Sequence, residues 1–83
     1  MNLAKLLRQY LAERPRAAFT ADQLVRLLHS AGLVDTEPAP DSVFAGLKTL
    51  DKQGHVSVRK DPDTESYLYQ ITPDGIAKYK ASP

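Results

Sequence analysis

Residues 42–60 read SVFAGLKTLDKQGHVSVRK, and two periodicities meet inside that stretch. In its first half Val43, Phe44, Leu47 and Leu50 recur at the three- and four-residue spacing that stacks side chains on one side of an α-helix. Ser42, Ala45, Gly46, Lys48, Thr49 and Lys52 fall away from that side, and Asp41 or Ser42 offers an N-cap. Gly54 closes the helix. From Val56 the period shortens to two: Val56 and Val58 alternate with Ser57 and Arg59, as in a half-buried strand.

C-terminal to this junction, Asp61-Pro62-Asp63-Thr64 is turn chemistry, and Tyr67, Tyr69 and Ile71 alternate with Leu68 and Gln70. Residues 56–72 therefore read as a β-hairpin. Thr72 can cap, and Pro73 can occupy the first position of, a short helix through about Lys80, with Ile76 and Tyr79 inward. N-terminal to the junction, Leu3, Leu6, Leu7, Tyr10 and Leu11 predict a first helix over Asn2–Glu13, which Pro15 stops. Ala17 to Phe19 form an extended link. Thr20 and Gln23 make a capping-box pair that opens a second helix over Ala21–Ala31, with Leu24, Val25, Leu27, Leu28 and Ala31 inward and Gly32 at its end. Val34 to Pro40, with prolines at 38 and 40, predicts a loop.

The chain has 83 residues, 42% hydrophobic and 25% charged, the composition of one small globular domain over 1–83. It contains no cysteine, which removes disulfides and thiolate metal sites and permits a reducing, cytoplasmic setting. No apolar run approaches the ~20 residues of a membrane span, and Met1 to Arg8, carrying Lys5 and Arg8, reads as neither signal peptide nor anchor. His29 and His55 are the only histidines, neither in a metal-ligand spacing. Both read as ordinary surface residues. No nucleophile motif or glycine-rich phosphate loop is present. Carboxylates fall on predicted caps and turns, so the sequence predicts no enzyme, cofactor or metal.

The order helix, helix, loop, helix, hairpin, short helix is that of an α+β winged helix-turn-helix domain: a three-helix core, a two-stranded β-hairpin wing and a C-terminal helix. The run from Ser42 to Val56, followed by Arg59-Lys60-Asp61-Pro62-Asp63 and Ile71-Thr72-Pro73-Asp74-Gly75, resembles winged-helix transcriptional regulators of the MarR and PadR type. The resemblance covers roughly residues 20–80. The loop from Gly32 to Pro40 is longer than is usual before the recognition helix in those families, and their long dimerisation helices are missing.

The resemblance implies sequence-specific binding of double-stranded DNA by a small transcriptional or mobile-element regulator. Helix 3 (about 42–53) would enter the major groove and the wing (about 56–72) would follow the backbone. The residues it nominates are Ser42, Ala45, Gly46, Lys48, Thr49 and Lys52 on the helix and Arg59 and Lys60 on the wing. Gly46 in mid-helix costs about 1 kcal/mol relative to alanine. Either a bulky neighbour packs over it or a partner's backbone approaches there. Charge argues less clearly. The net charge is +1, and residues 1–20 hold Lys5, Arg8, Arg14 and Arg16 against Glu13 alone, whereas residues 21–54 are slightly acidic. Lys5 and Arg8 are expected on a solvated face, and Tyr10, Tyr67, Tyr69 and Tyr79 in or near the core. The alternative reading is a winged helix that packs on a protein partner and does not bind DNA. A homodimer reading two half-sites would have only the first and last helices for its interface.

Overall fold

The computed structural model describes residues 2–81, and their elements run α1 (Leu3–Ala12), α2 (Ala21–Ser30), α3 (Pro40–Lys52), β1 (Val56–Lys60), β2 (Tyr67–Ile71) and α4 (Pro73–Ala81). This is an α+β winged helix: three helices around one core, with a two-stranded antiparallel hairpin against them.

Local chemistry sets most boundaries. The Asn2 side chain accepts a bond from the Lys5 amide and starts α1. Thr20 and Gln23 form the expected capping box, each side chain accepting from the other's backbone N–H. Gly32 and Gly54, at φ of +76° and +75°, let the chain turn out of α2 and α3 at little steric cost. α3 begins differently from the sequence expectation. Neither Asp41 nor Ser42 caps it; the N-cap is Ala39, without a side-chain bond, and Pro40 takes the first turn. Proline suits that place because an amide there has no intrahelical partner to lose. Asp41 lies inside the first turn, where its charge favours the positive end of the helix dipole.

The core is small and mostly leucine. Leu7, Leu11, Leu24, Leu28, Val43, Leu47 and Leu50 are wholly shielded from solvent. Val34, in the loop before α3, is buried too, which ties that loop to the core. The hairpin pairs Val56 with Ile71, Val58 with Tyr69 and Lys60 with Tyr67 on one face, and Ser57 with Gln70 and Arg59 with Leu68 on the other. Its turn is closed by Asp61, whose carboxylate accepts from the Asp63 amide and whose carbonyl accepts from the Glu65 amide. The extended link before α2 also joins the hairpin: Phe19 and Tyr69 exchange backbone bonds of 3.0 and 2.8 Å. β2 is thereby held on both edges.

His55, between α3 and β1, is a hub of backbone and side-chain contacts. Its amide bonds to the Leu50 carbonyl and its carbonyl accepts from the Thr72 amide. The Thr72 hydroxyl donates to the Gly54 carbonyl at 2.6 Å and accepts from the Gly75 amide at 3.1 Å, capping α4 as the sequence suggested. The His55 ring, read from the sequence as a lone surface side chain, is half-buried with Nδ1 3.4 Å from the guanidinium of Arg8. Arg8 is only 9% exposed, so it is not on the solvated face expected of it. Burial, then the positive charges of Arg8 and Lys78, hold the His55 pKa below 6.5, with Asp74 opposing.

Two measurements probe this packing. A Cβ on Gly75 would run into the His55 carbonyl, a backbone atom that cannot step aside cheaply, whereas one on Gly46 would meet only the Leu7 Cδ1 tip at 2.8 Å. In urea titrations Gly75→Ala is expected to cost about 1–3 kcal/mol or more. Gly46→Ala should cost less, since the gain of about 1 kcal/mol in helix propensity offsets the displaced methyl. For His55, a native pKa below the unfolded 6.5 means that the unfolded chain binds more protons below that pH. The contribution of His55 to stability is intact above pH 6.5 and declines as pH falls through 6.5 toward the native value. A His55→Gln chain should lose that part of the decline when urea midpoints at pH 7.5 and 5.5 are compared.

Candidate nucleic-acid interface

Burial of Val43, Leu47 and Leu50 fixes how α3 is rotated. With about 100° between successive residues, the opposite side must face solvent. Ser42, Ala45, Lys48, Thr49 and Lys52 are all exposed there, as the sequence predicted. Lys48 and Lys52, one turn apart, have Cα atoms about 6 Å from each other along the axis. The Thr49 hydroxyl donates to the Ala45 carbonyl at 3.1 Å, so toward a partner it can only accept.

Gly46 does not belong to this face. It lies against α1, where a Cβ would meet Leu7 Cδ1 at 2.8 Å and approach the Ala4 backbone at 3.5 Å. Of the two readings of this glycine, helix packing within the chain is the one the structure supports. Phe44 is corrected the other way. Expected in the core, it is 49% exposed. The buried stripe runs through Val43, Leu47 and Leu50, and Phe44, a further 100° round from Val43, is carried to the flank beside the hairpin.

The wing divides its two cations. Arg59 and Lys60 are adjacent in a strand and so point to opposite faces. Arg59 donates to the Gln70 side chain at 3.2 Å, and Gln70 donates to the Pro15 carbonyl at 3.0 Å, anchoring that face to the α1–α2 link. Lys60 lies on the other face of the hairpin, the one that carries Val58 and Tyr67. The basic stretch of residues 1–20 is divided as well. Besides the buried Arg8, the Arg14 guanidinium sits 3.8 Å above the Tyr10 ring and donates to the Tyr10 carbonyl. Lys5, Arg14 and Arg16 are all exposed.

Between α3 and the hairpin runs an open groove of about 360 Å³, bordered by Phe44, Ala45, Lys48 and Asp51 on one side and Val58 and Tyr67 on the other. The buried Tyr69 also lines it, its phenol pushed up in pKa by burial, then by the charges of Asp51 and Tyr67. Val58 is 37% and Tyr67 53% exposed, so Tyr67 departs from the expected core position, while Tyr10 and Tyr69 are buried and Tyr79 is half-buried. The periodic reading missed this apolar groove because alternation gives the face a side chain takes but not how far a helix covers it. Among the described residues no three His, Cys, Asp or Glu side chains are placed to hold a metal ion. Among the same residues no helix is long and apolar enough to cross a membrane.

No protein-family model matches the sequence, and no curated protein matches it. The fold does have a solved counterpart. A transcriptional regulator from Clostridium thermocellum superposes with a TM-score of 0.80 over 95% of this chain and 74% of its own, at 18% identity. The likeness is one of fold.

The exposure of Phe44 makes a stability prediction of its own. Phe44→Ala should cost about 1 kcal/mol or less in urea unfolding, against about 2–5 kcal/mol for Leu47→Ala in the buried stripe.

Proposed function

We propose that this chain binds duplex DNA as a small transcriptional or mobile-element regulator of the MarR/PadR-like kind, working in the cytoplasm. The observation that carries the reading is the solvent-facing side of α3. Ser42, Ala45, Lys48, Thr49 and Lys52 project together from a helix fixed by its buried stripe, with the hairpin beside it. An α-helix fits the major groove, where lysine donates to guanine or phosphate, serine and threonine bond to either base edges or phosphates, and alanine meets thymine methyl groups. Lys60, on the hairpin face that carries Val58 and Tyr67, offers a cation for a phosphate on the flanking backbone, and Arg59 offers one on the other face. The regulator of similar fold supports the reading at the level of architecture.

One observation favours a second reading, a protein-interaction module: the half-exposed Phe44 and Tyr67 around an apolar groove are unusual on a surface meant only for phosphates. Fluorescence anisotropy with a random duplex pool at low salt separates the two. For a binder using Lys48, Lys52, Arg59 and Lys60 on phosphates, log K should fall with log salt at a slope of about −3 to −4. Lys60→Ala should make that slope shallower by about 1. Lys48→Ala/Lys52→Ala should weaken binding on the order of tenfold or more. No binding to any duplex at low salt would leave the protein-interaction reading standing.

A further inference from the structure

Phe44, Val58 and Tyr67 are the large apolar side chains that the described residues leave exposed, and all three border one groove. Half of a phenylalanine or tyrosine surface is roughly 100 Å², so the patch offers on the order of 250 Å². A stable protein–protein contact buries about 800 Å² on each side. This patch cannot supply that alone, and the surface it continues into is α3 with Ala45, Lys48 and Lys52, the face proposed above to meet DNA. Patch and cations therefore address one ligand, apolar at one point and anionic or hydrogen-bond accepting around it.

Asp51 narrows the choice. Its carboxylate borders the groove and repels phosphate, which keeps the sugar–phosphate backbone out and leaves a base edge as the fitting part of a duplex. In the major groove one base carries an apolar group: thymine, with its 5-methyl beside the O4 acceptor. The adenine paired with it presents an amino group, which suits a carboxylate acceptor. From these residues we infer that the groove between α3 and the hairpin reads thymine. Phe44 and Ala45 seat the 5-methyl, Lys48 donates to O4 or the adjoining phosphate, and Asp51 accepts from the neighbouring amino group. Phe44 is then a specificity-determining residue. The inference rests on the duplex-DNA reading of α3.

The test removes the methyl from the DNA and leaves the protein intact. A duplex selected by the full 83-residue chain from a random pool is resynthesised with deoxyuridine for thymidine at one position at a time, which preserves base pairing. At one or two positions affinity should fall about fourfold, the effect of returning one buried methyl-sized group to water. Phe44→Ala should bind the thymidine and deoxyuridine duplexes equally. Lys60→Ala should weaken both by the same factor and keep their ratio. If deoxyuridine is neutral at every position while binding still depends on Lys48 and Lys52, the thymine inference is overturned and the duplex reading stands. If the chain selects and binds no duplex, both fall.

Discussion

Val43, Leu47 and Leu50, buried on one side of α3, form the constraint on which the remaining surface depends. Their spacing fixes the rotation of the helix about its axis, and with it which residues are offered to solvent. Gly46 makes room for one side chain. Lacking a Cβ, it lets the Leu7 Cδ1 of α1 pack against α3 where a methyl would otherwise stand. In a core this small each such contact is a large share of the net stability of the domain.

The hairpin is positioned by polar contacts at its ends as much as by apolar ones. The Phe19–Tyr69 backbone pair holds one edge of β2, Gln70 reaches the Pro15 carbonyl, and Thr72 links Gly54, His55 and α4. Apart from the local Thr72–Gly75 bond, these join segments more than 15 residues apart, so the second half of β2 is braced to the helical core. Strand alternation then puts Lys60 and Arg59 on opposite faces of the hairpin.

Electrostatically the proposed interface is spare. The chain carries a net charge of +1, and the densest basic stretch in the sequence is partly spent on structure, Arg8 at His55 and Arg14 over Tyr10. A surface whose net charge is this close to zero gains less from phosphate attraction than from contacts to base edges. The exposed aromatic groove is consistent with that division, since apolar contact to a base edge is independent of salt in a way that phosphate contact is not.

Much of the fold was legible because it is decided locally. The Thr20–Gln23 capping box, the Thr72–Pro73 start of α4, the Asp61 turn and the glycines that end α2 and α3 depend on neighbours within a few residues. The helical and strand periods expose one face of each element whatever lies against it. Five of the six helix positions nominated for DNA contact emerged exposed for that reason. The sequence misplaces Phe44, Arg8 and His55, and leaves two readings of Gly46 open, because their surroundings come from elsewhere in the chain: α1 packs on Gly46, the hairpin lies beside Phe44 without covering it, and Arg8 meets His55 across 47 residues. By itself the sequence determined the order, ends and inward faces of the elements, which follow from backbone hydrogen bonding and side-chain period. Tertiary structure alone decided which glycine is a packing surface, that Arg8 is withdrawn and which aromatics stay in water, since burial is a property of two elements meeting.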